Sequence, residues 1–229
     1  MPKSKRSKVV SLTKTEKKGR GGKDSLFEEV RECVDKYTYL WVFSVENMRN
    51  TFLKEVRSDF KDSRFFLGKN KVMAKALGTT VEDEYKENLR NVSKLLTGDV
   101  GVLFTDRPVD EVKQYFDDYR QADYARSGVA ATETVTIPEG PVMRGPDKMP
   151  HNMEQHIRSL GMPTTLQNGV ITLSSPYEIC RLGQTLTTNQ AHLLKLFYHQ
   201  LAEFRVKLLC YYSEGEVHNL DTAESMHTD

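Results

Sequence analysis

Tyr39 to Val45, YLWVFSV, is apolar but for Ser44 and rich in β-branched and aromatic side chains. A strand with one wet face alternates apolar and polar residues. A run without alternation needs cover on both faces, so helices must lie above and below it. The flanking sequence supplies them. Asp24 to Lys36 carries one apolar stripe (Leu26, Phe27, Val30, Cys33, Val34) and predicts a helix. A second helix is expected from about Glu46, with Met48, Phe52, Val56 and Phe60 recurring every four residues. Arg64 to Leu67 reads as a short buried strand, and Asn70 starts a helix that points Val72, Met73, Ala76 and Leu77 at the core. Glu84 to Leu96 predicts another helix, with Tyr85, Leu89, Val92 and Leu96 inward and Gly98 ending it. Asp99 to Thr105 follows as a strand, and Pro108 opens a helix with Val109, Val112, Phe116 and Tyr119 inward. Strands alternating with helices give an α/β fold: a layered mixed sheet with flanking helices.

The pattern changes after about Tyr124. Glu133 to Ile137 is a short alternating strand, and Pro138 to Pro150 a Pro/Gly-rich loop. Met153, Ile157 and Leu160 mark a short helix ended by Gly161. Thr164–Gln167 and Val170–Leu173 flank Asn168-Gly169, a strong hairpin signal. Thr187 or Thr188 can cap a helix reaching about Leu201. Phe204 to Tyr212 is a strand expected to return to the first sheet, which makes residues 125–201 a small α+β insertion domain. The main domain is then 24–124, completed by about 202–213. Residues 1–23 form a basic arm expected to be disordered when free, and 214–229 an acidic flexible tail.

Charge is divided along the chain. The first 23 residues hold nine Lys or Arg against one acid, Glu16, while the remainder carries 24 basic and 31 acidic residues. The last sixteen hold five acids and no Lys or Arg. A basic arm on a mildly acidic body fits local contact with nucleic acid. Lys3 to Lys8 (KSKRSK) has the form of a nuclear import signal or a nucleic-acid arm. No apolar run approaches the ~20 residues that span a bilayer, and the basic N-terminus lacks the apolar stretch of a secretory signal. Cys33, Cys180 and Cys210 lie far apart in apolar patterns, as buried thiols in a reducing compartment do. The histidines have no metal-ligand spacing, and HExxH, CxxC and a nucleophile elbow are absent, so neither an enzyme nor a cofactor is expected.

Arg64 to Leu77, RFFLGKNKVMAKAL, is the candidate binding element. Lys71 and Lys75 stand one turn apart on one helix face. Lys69 sits at the helix start, where free amides favour an anion. Asn70 can cap that helix or touch RNA, and Gly68 permits close approach of another backbone. Arg49, Lys54 and Arg57 on the preceding helix could join them. A phosphate loop is excluded, since Lys69 is followed by Asn70 and the glycines it needs are missing. An ordinary solvated lysine face fits the same residues.

YLWVFSVENMRNTFLKEVR, LGKNKVMAKAL and GDVGVLFT together resemble the rRNA-binding domain of the ribosomal stalk-base proteins, the family of bacterial ribosomal protein L10 and the eukaryotic large acidic stalk phosphoprotein. ATETVTIPEGP and LGMPTTLQNGVITL are similar to the insertion domain of its archaeal and eukaryotic members. Stalk proteins continue into dimer-binding helices and an acidic tail with phenylalanines. This chain stops at Asp229 and carries the basic arm, which resembles the family's nucleolar paralogues that assist large-subunit assembly. The resemblance implies binding to pre-60S rRNA at the stalk base through Arg49, Lys54, Arg57, Gly68, Lys69, Asn70, Lys71 and Lys75, followed by exchange for the stalk protein. It implies neighbouring large-subunit ribosomal proteins and a release factor as partners, no membrane or small-molecule substrate, and residence in the nucleolus and nucleus with shuttling to the cytoplasm allowed. A constitutive ribosomal protein and an RNA-decay factor are the alternatives.

Overall fold

The computed structural model describes residues 19–220. In order, the first part of the chain forms α1 (Gly21–Lys36), β1 (Tyr39–Glu46), α2 (Asn50–Asp59), β2 (Arg64–Phe66), α3 (Asn70–Leu77), α4 (Leu89–Leu95), β3 (Val100–Thr105), α5 (Val109–Asp118) and β4 (Arg120–Asp123). A middle part holds β5 (Val135–Ile137), β6 (Gly140–Pro141), β7 (Met143–Arg144), β8 (Asp147–Lys148), α6 (Glu154–Ser159), β9 (Thr164–Gln167), β10 (Val170–Leu173), β11 (Tyr177–Cys180) and α7 (Thr188–Leu196). The chain closes on β12 (Ala202–Ser213) and β13 (Glu216–Asn219).

The main sheet runs β13-β12-β1-β3-β2, with β4 also on β12. The expected layering of helices on a sheet holds, but the sheet is not mixed: every pairing in it is antiparallel, because β12 returns from the insertion to pair antiparallel with β1, and β3 does the same on its other side. β1 shows why its sequence does not alternate. Leu40 and Val42 enter a core with Val30 and Val34 of α1, Met73 and Leu77 of α3, and Leu89 and Val92 of α4. Trp41 and Phe43 enter a second core with Val56 and Phe60 from the α2 side and Val112 and Phe116 of α5. Each such side chain contributes about 1.5–3 kcal/mol by leaving water. β12 serves both cores because Leu209 is an extra residue opposite the Val42–Phe43 step. Phe204 and Val206 face one core, Cys210 and Tyr212 the other.

The insertion has its own core, and every buried member lies between Ala125 and Leu201. Asn168 (φ 50°) and Gly169 (φ 79°) make the expected hairpin between β9 and β10. Thr187 caps α7 in a reciprocal box with Gln190.

Several boundaries differ from expectation. Gly21 to Lys23, grouped with the basic arm, form the first turn of α1. α2 begins at Asn50, because β1 continues to Glu46, which pairs with Arg205, and Asn47 turns the chain at φ 49°. α4 is confined to Leu89–Leu95. The chain ahead of it folds back at Gly78 (φ 99°), and the Tyr85 amide donates to the Leu77 carbonyl at 3.0 Å. α7 stops at Leu196, with Tyr198 at φ 64°. The expected flexible tail contains β13, joined to β12 through Glu214 and Gly215, both at positive φ as a two-residue hairpin requires. Lys3 to Lys8 and residues 221–229 lie outside the described part.

Candidate nucleic-acid interface

β2 is the outer strand of the main sheet, and the N-terminus of α1, the C-terminal end of α2 and the start of α3 surround it. Two grooves flank it. The larger, about 830 Å³, lies between α1 and the β2–α3 corner and is lined by Lys23, Ser25, Leu26, Leu67, Gly68, Lys69 and Val72. The smaller, about 410 Å³, is lined by Arg57, Lys61, Ser63 and Arg64. Glu29 lines both. It accepts from Arg64 Nη2 at 3.0 Å and from Ser25 Oγ at 2.8 Å. Among the described lining residues Glu29 is the one carboxylate, against Lys23, Arg57, Lys61, Arg64 and Lys69, so the edge is cationic.

The sequence-predicted residues fall into three groups. Gly68 and Lys69 line the larger groove and Arg57 the smaller. Lys71 and Lys75 are exposed on α3, and Lys54 on α2. Arg49 and Asn70 do other work. Arg49 is ion-paired with Asp123 and donates to the Tyr124 carbonyl at 3.0 Å, pinning the start of α2 to the end of β4. Asn70 does not cap α3, whose cap position is Lys69 with no side-chain bond. Its amide donates instead to the Gly98 carbonyl at 2.7 Å, fixing the helix to the turn before β3. Gly68 does allow a close approach, but by a side chain of this chain. A Cβ there would lie 2.6 Å from Leu26 Cδ2.

Sequence reasoning missed Lys61 and Arg64, and counted Lys23 only as part of the arm. Lys61 follows Arg57 by four residues and Lys54 by seven, so the helical period continued past the end of α2 contained it. Arg64 was absorbed into the apolar reading of β2. Only its place on an outer strand exposes it.

The neighbouring surface, where α5 packs against α2, differs in sign. α5 presents Asp110, Glu111, Asp117 and Asp118, all exposed. Tyr115 and Tyr119 are stacked with ring centroids 5.6 Å apart and donate to Asp59 (2.6 Å) and Glu55 (2.8 Å) of α2. Burial and those carboxylates push both hydroxyls well above their ordinary range, so they stay protonated donors. An open, cation-lined edge with half-exposed apolar side chains suits a polyanionic backbone rather than a small substrate. Among the described residues no cluster of His, Cys, Asp or Glu could hold a metal ion, and no helix is long and apolar enough to cross a membrane.

Residues 18–121 match the family model described as ribosomal protein L10, and residues 125–198 match the model of the insertion domain in the 60S ribosomal protein of that family. The ribosome assembly factor mrt4 of Schizosaccharomyces pombe is 50% identical over 222 residues, covering 93% of this chain and 92% of that protein. The ribosome assembly factor MRT4 of Saccharomyces cerevisiae is 44% identical, over 93% and 94%. The chain belongs to the Mrt4 family. The large ribosomal subunit protein uL10 of Oxybasis rubra is more distant, 24% identical over 96% of this chain and 66% of its own length. Within this Mrt4-family chain the whole cationic edge lies in the L10-like part. β12 and β13 lie outside both matched ranges, yet β12 pairs directly with β1 and completes the sheet.

Proposed function

We propose that this chain is a ribosome assembly factor that binds large-subunit rRNA in pre-60S particles at the stalk base and later gives way to the ribosomal stalk protein. The observation that carries the reading is the cationic β2 edge on an L10-like domain. Its relatives in Schizosaccharomyces pombe and Saccharomyces cerevisiae are ribosome assembly factors, which supports the assembly role. Its part is positional: the edge holds phosphates through its cations. Neighbouring large-subunit ribosomal proteins and a release factor are its expected partners, and the nucleolus and nucleus its expected location. A limited set of phosphate contacts on an otherwise acidic body favours exchange with a competitor of the same fold.

The test is binding to an rRNA fragment spanning the stalk-base junction. Lys69→Glu/Lys71→Glu should abolish specific binding and lower the salt slope by about 2, while removal of residues 1–18 should weaken affinity and keep specificity. Normal binding by the double variant, with loss on removing the arm, would move the site to the arm. Failure of purified stalk protein to displace the chain from that fragment would sink the exchange.

A further inference from the structure

Ser25 lines the larger groove beside Lys23 and Lys69. It is exposed, and its Oγ donates to Glu29 Oε1 at 2.8 Å. The local sequence, Asp24-Ser25-Leu26-Phe27-Glu28-Glu29, places carboxylates just before the hydroxyl and three and four residues after it. A serine kinase with a cationic substrate cleft selects that pattern by charge complementarity. The turn that carries Ser25 is the weakest part of α1. Gly21 and Gly22 open it, each about 1 kcal/mol less favourable than alanine in a helix interior, and Arg20 at the cap position makes no side-chain bond. Helix ends open locally at little cost, so this segment can straighten into a kinase cleft while Val30 and Val34 stay in the core.

We propose that Ser25 is a phosphorylation site whose modification closes the larger groove to RNA. The inference rests on the RNA reading above. In the reaction Ser25 Oγ attacks the γ-phosphorus of a nucleoside triphosphate. The new Oγ–P bond replaces the bridging P–O bond, the diphosphate departs with that electron pair, and the hydroxyl proton passes to the kinase's base. The product brings a charge of about −1.5 to −2 at neutral pH. It ends the donation to Glu29 and repels that carboxylate, which is also the partner of Arg64 at 3.0 Å. It also sets a permanent anion beside Lys23 and Lys69, where an RNA phosphate would otherwise sit. Cations that attracted the backbone are then neutralised from within, and the groove turns repulsive.

The full-length protein should be incubated with ATP and an acid-directed serine/threonine kinase, the modified residue located by mass spectrometry, and binding to the stalk-base rRNA fragment measured by anisotropy. One phosphate on Ser25, absent from Ser25→Ala, should weaken binding about tenfold and lower the salt slope by about 2, as losing roughly two phosphate contacts does. Ser25→Ala taken through the same kinase treatment should bind as its own untreated form does, and the thermal midpoint of the phosphorylated protein should stay unchanged, which separates a blocked groove from a damaged fold. Unaltered binding after phosphorylation overturns the inference and leaves the RNA reading standing, as does a kinase that leaves Ser25 bare. Failure of the unmodified protein to bind overturns the RNA reading itself, and the inference with it.

Discussion

Arg49 offers the sharpest separation between what a cation in a basic stretch suggests and what it does. Its guanidinium meets an Asp123 side chain that is only 12% exposed, while its own is 32% exposed. Asp123 also accepts from the Tyr124 amide at 2.8 Å, and Arg49 reaches the Tyr124 carbonyl. Arg49→Met keeps the apolar stem and removes the charge, stranding a nearly buried carboxylate. Breaking a fully buried pair from one side costs about 3–5 kcal/mol. Partial exposure of the arginine reduces this to about 2–3 kcal/mol, a fall in thermal midpoint of roughly 4–12 °C for a chain of this size. Urea denaturation followed through Trp41, the chain's single tryptophan and fully buried, reads the domain concerned. Asp123→Asn added to Arg49→Met should recover part of the loss, because no unpaired charge then remains. Affinity for rRNA, measured well below the unfolding midpoint, should stay within about twofold, since a difference that small is under 0.5 kcal/mol. A variant of normal stability that no longer binds RNA would refute the reasoning and return Arg49 to the interface.

Three further outcomes follow from the packing. Gly101→Ala should cost about 1–3 kcal/mol in chemical denaturation, because its Cβ would fall 2.5 Å from Phe43 Cζ, 2.7 Å from Leu67 Cδ2 and 2.9 Å from the Phe66 carbonyl oxygen. Thr187→Ala should destabilise the insertion by about 1 kcal/mol through loss of the capping box, visible as faster amide exchange in α7 with the main sheet unaffected. The hydrogen bond from Arg107 holds the Asp62 carboxyl below its ordinary value of 3.8. Its contribution is therefore complete above pH ~4 and lost as pH falls through the lower folded value. This half-exposed pair contributes no more than about 1 kcal/mol. Arg107→Ala should flatten the acid limb of the stability curve by that amount and leave neutral RNA binding unchanged.

Much of the fold was legible because burial leaves a period in the sequence. The non-alternating apolar run of β1 demanded two cores, and the stripes of α1 and α5 named the helical faces that fill them. Asn168-Gly169 and Thr187 act within a few residues of themselves, so their turn and cap were readable without tertiary knowledge. Helix limits near loops were less legible. Tyr85 packs inward as its apolar spacing says, yet from a fold-back tied to α1 by its bond to Asp35, not from a helix. β13 is short and polar. It exists because β12 offers it an edge and Tyr211 a ring, against which His218 stacks at 4.6 Å.

The cationic edge divides along the same line. The sequence alone determined which cations ride on α2 and α3, because helical spacing is local. Tertiary structure alone decided that Lys23, Arg57, Lys61, Arg64 and Lys69 share one strand edge, because α1, α2 and α3 meet around β2 only when the sheet is assembled. It also decided that Arg49 and Asn70 do not join them. A positive charge or an amide has no period. Its role is set by whichever carboxylate or carbonyl the folded chain brings within reach, here Asp123, 74 residues away, and Gly98, 28 residues away.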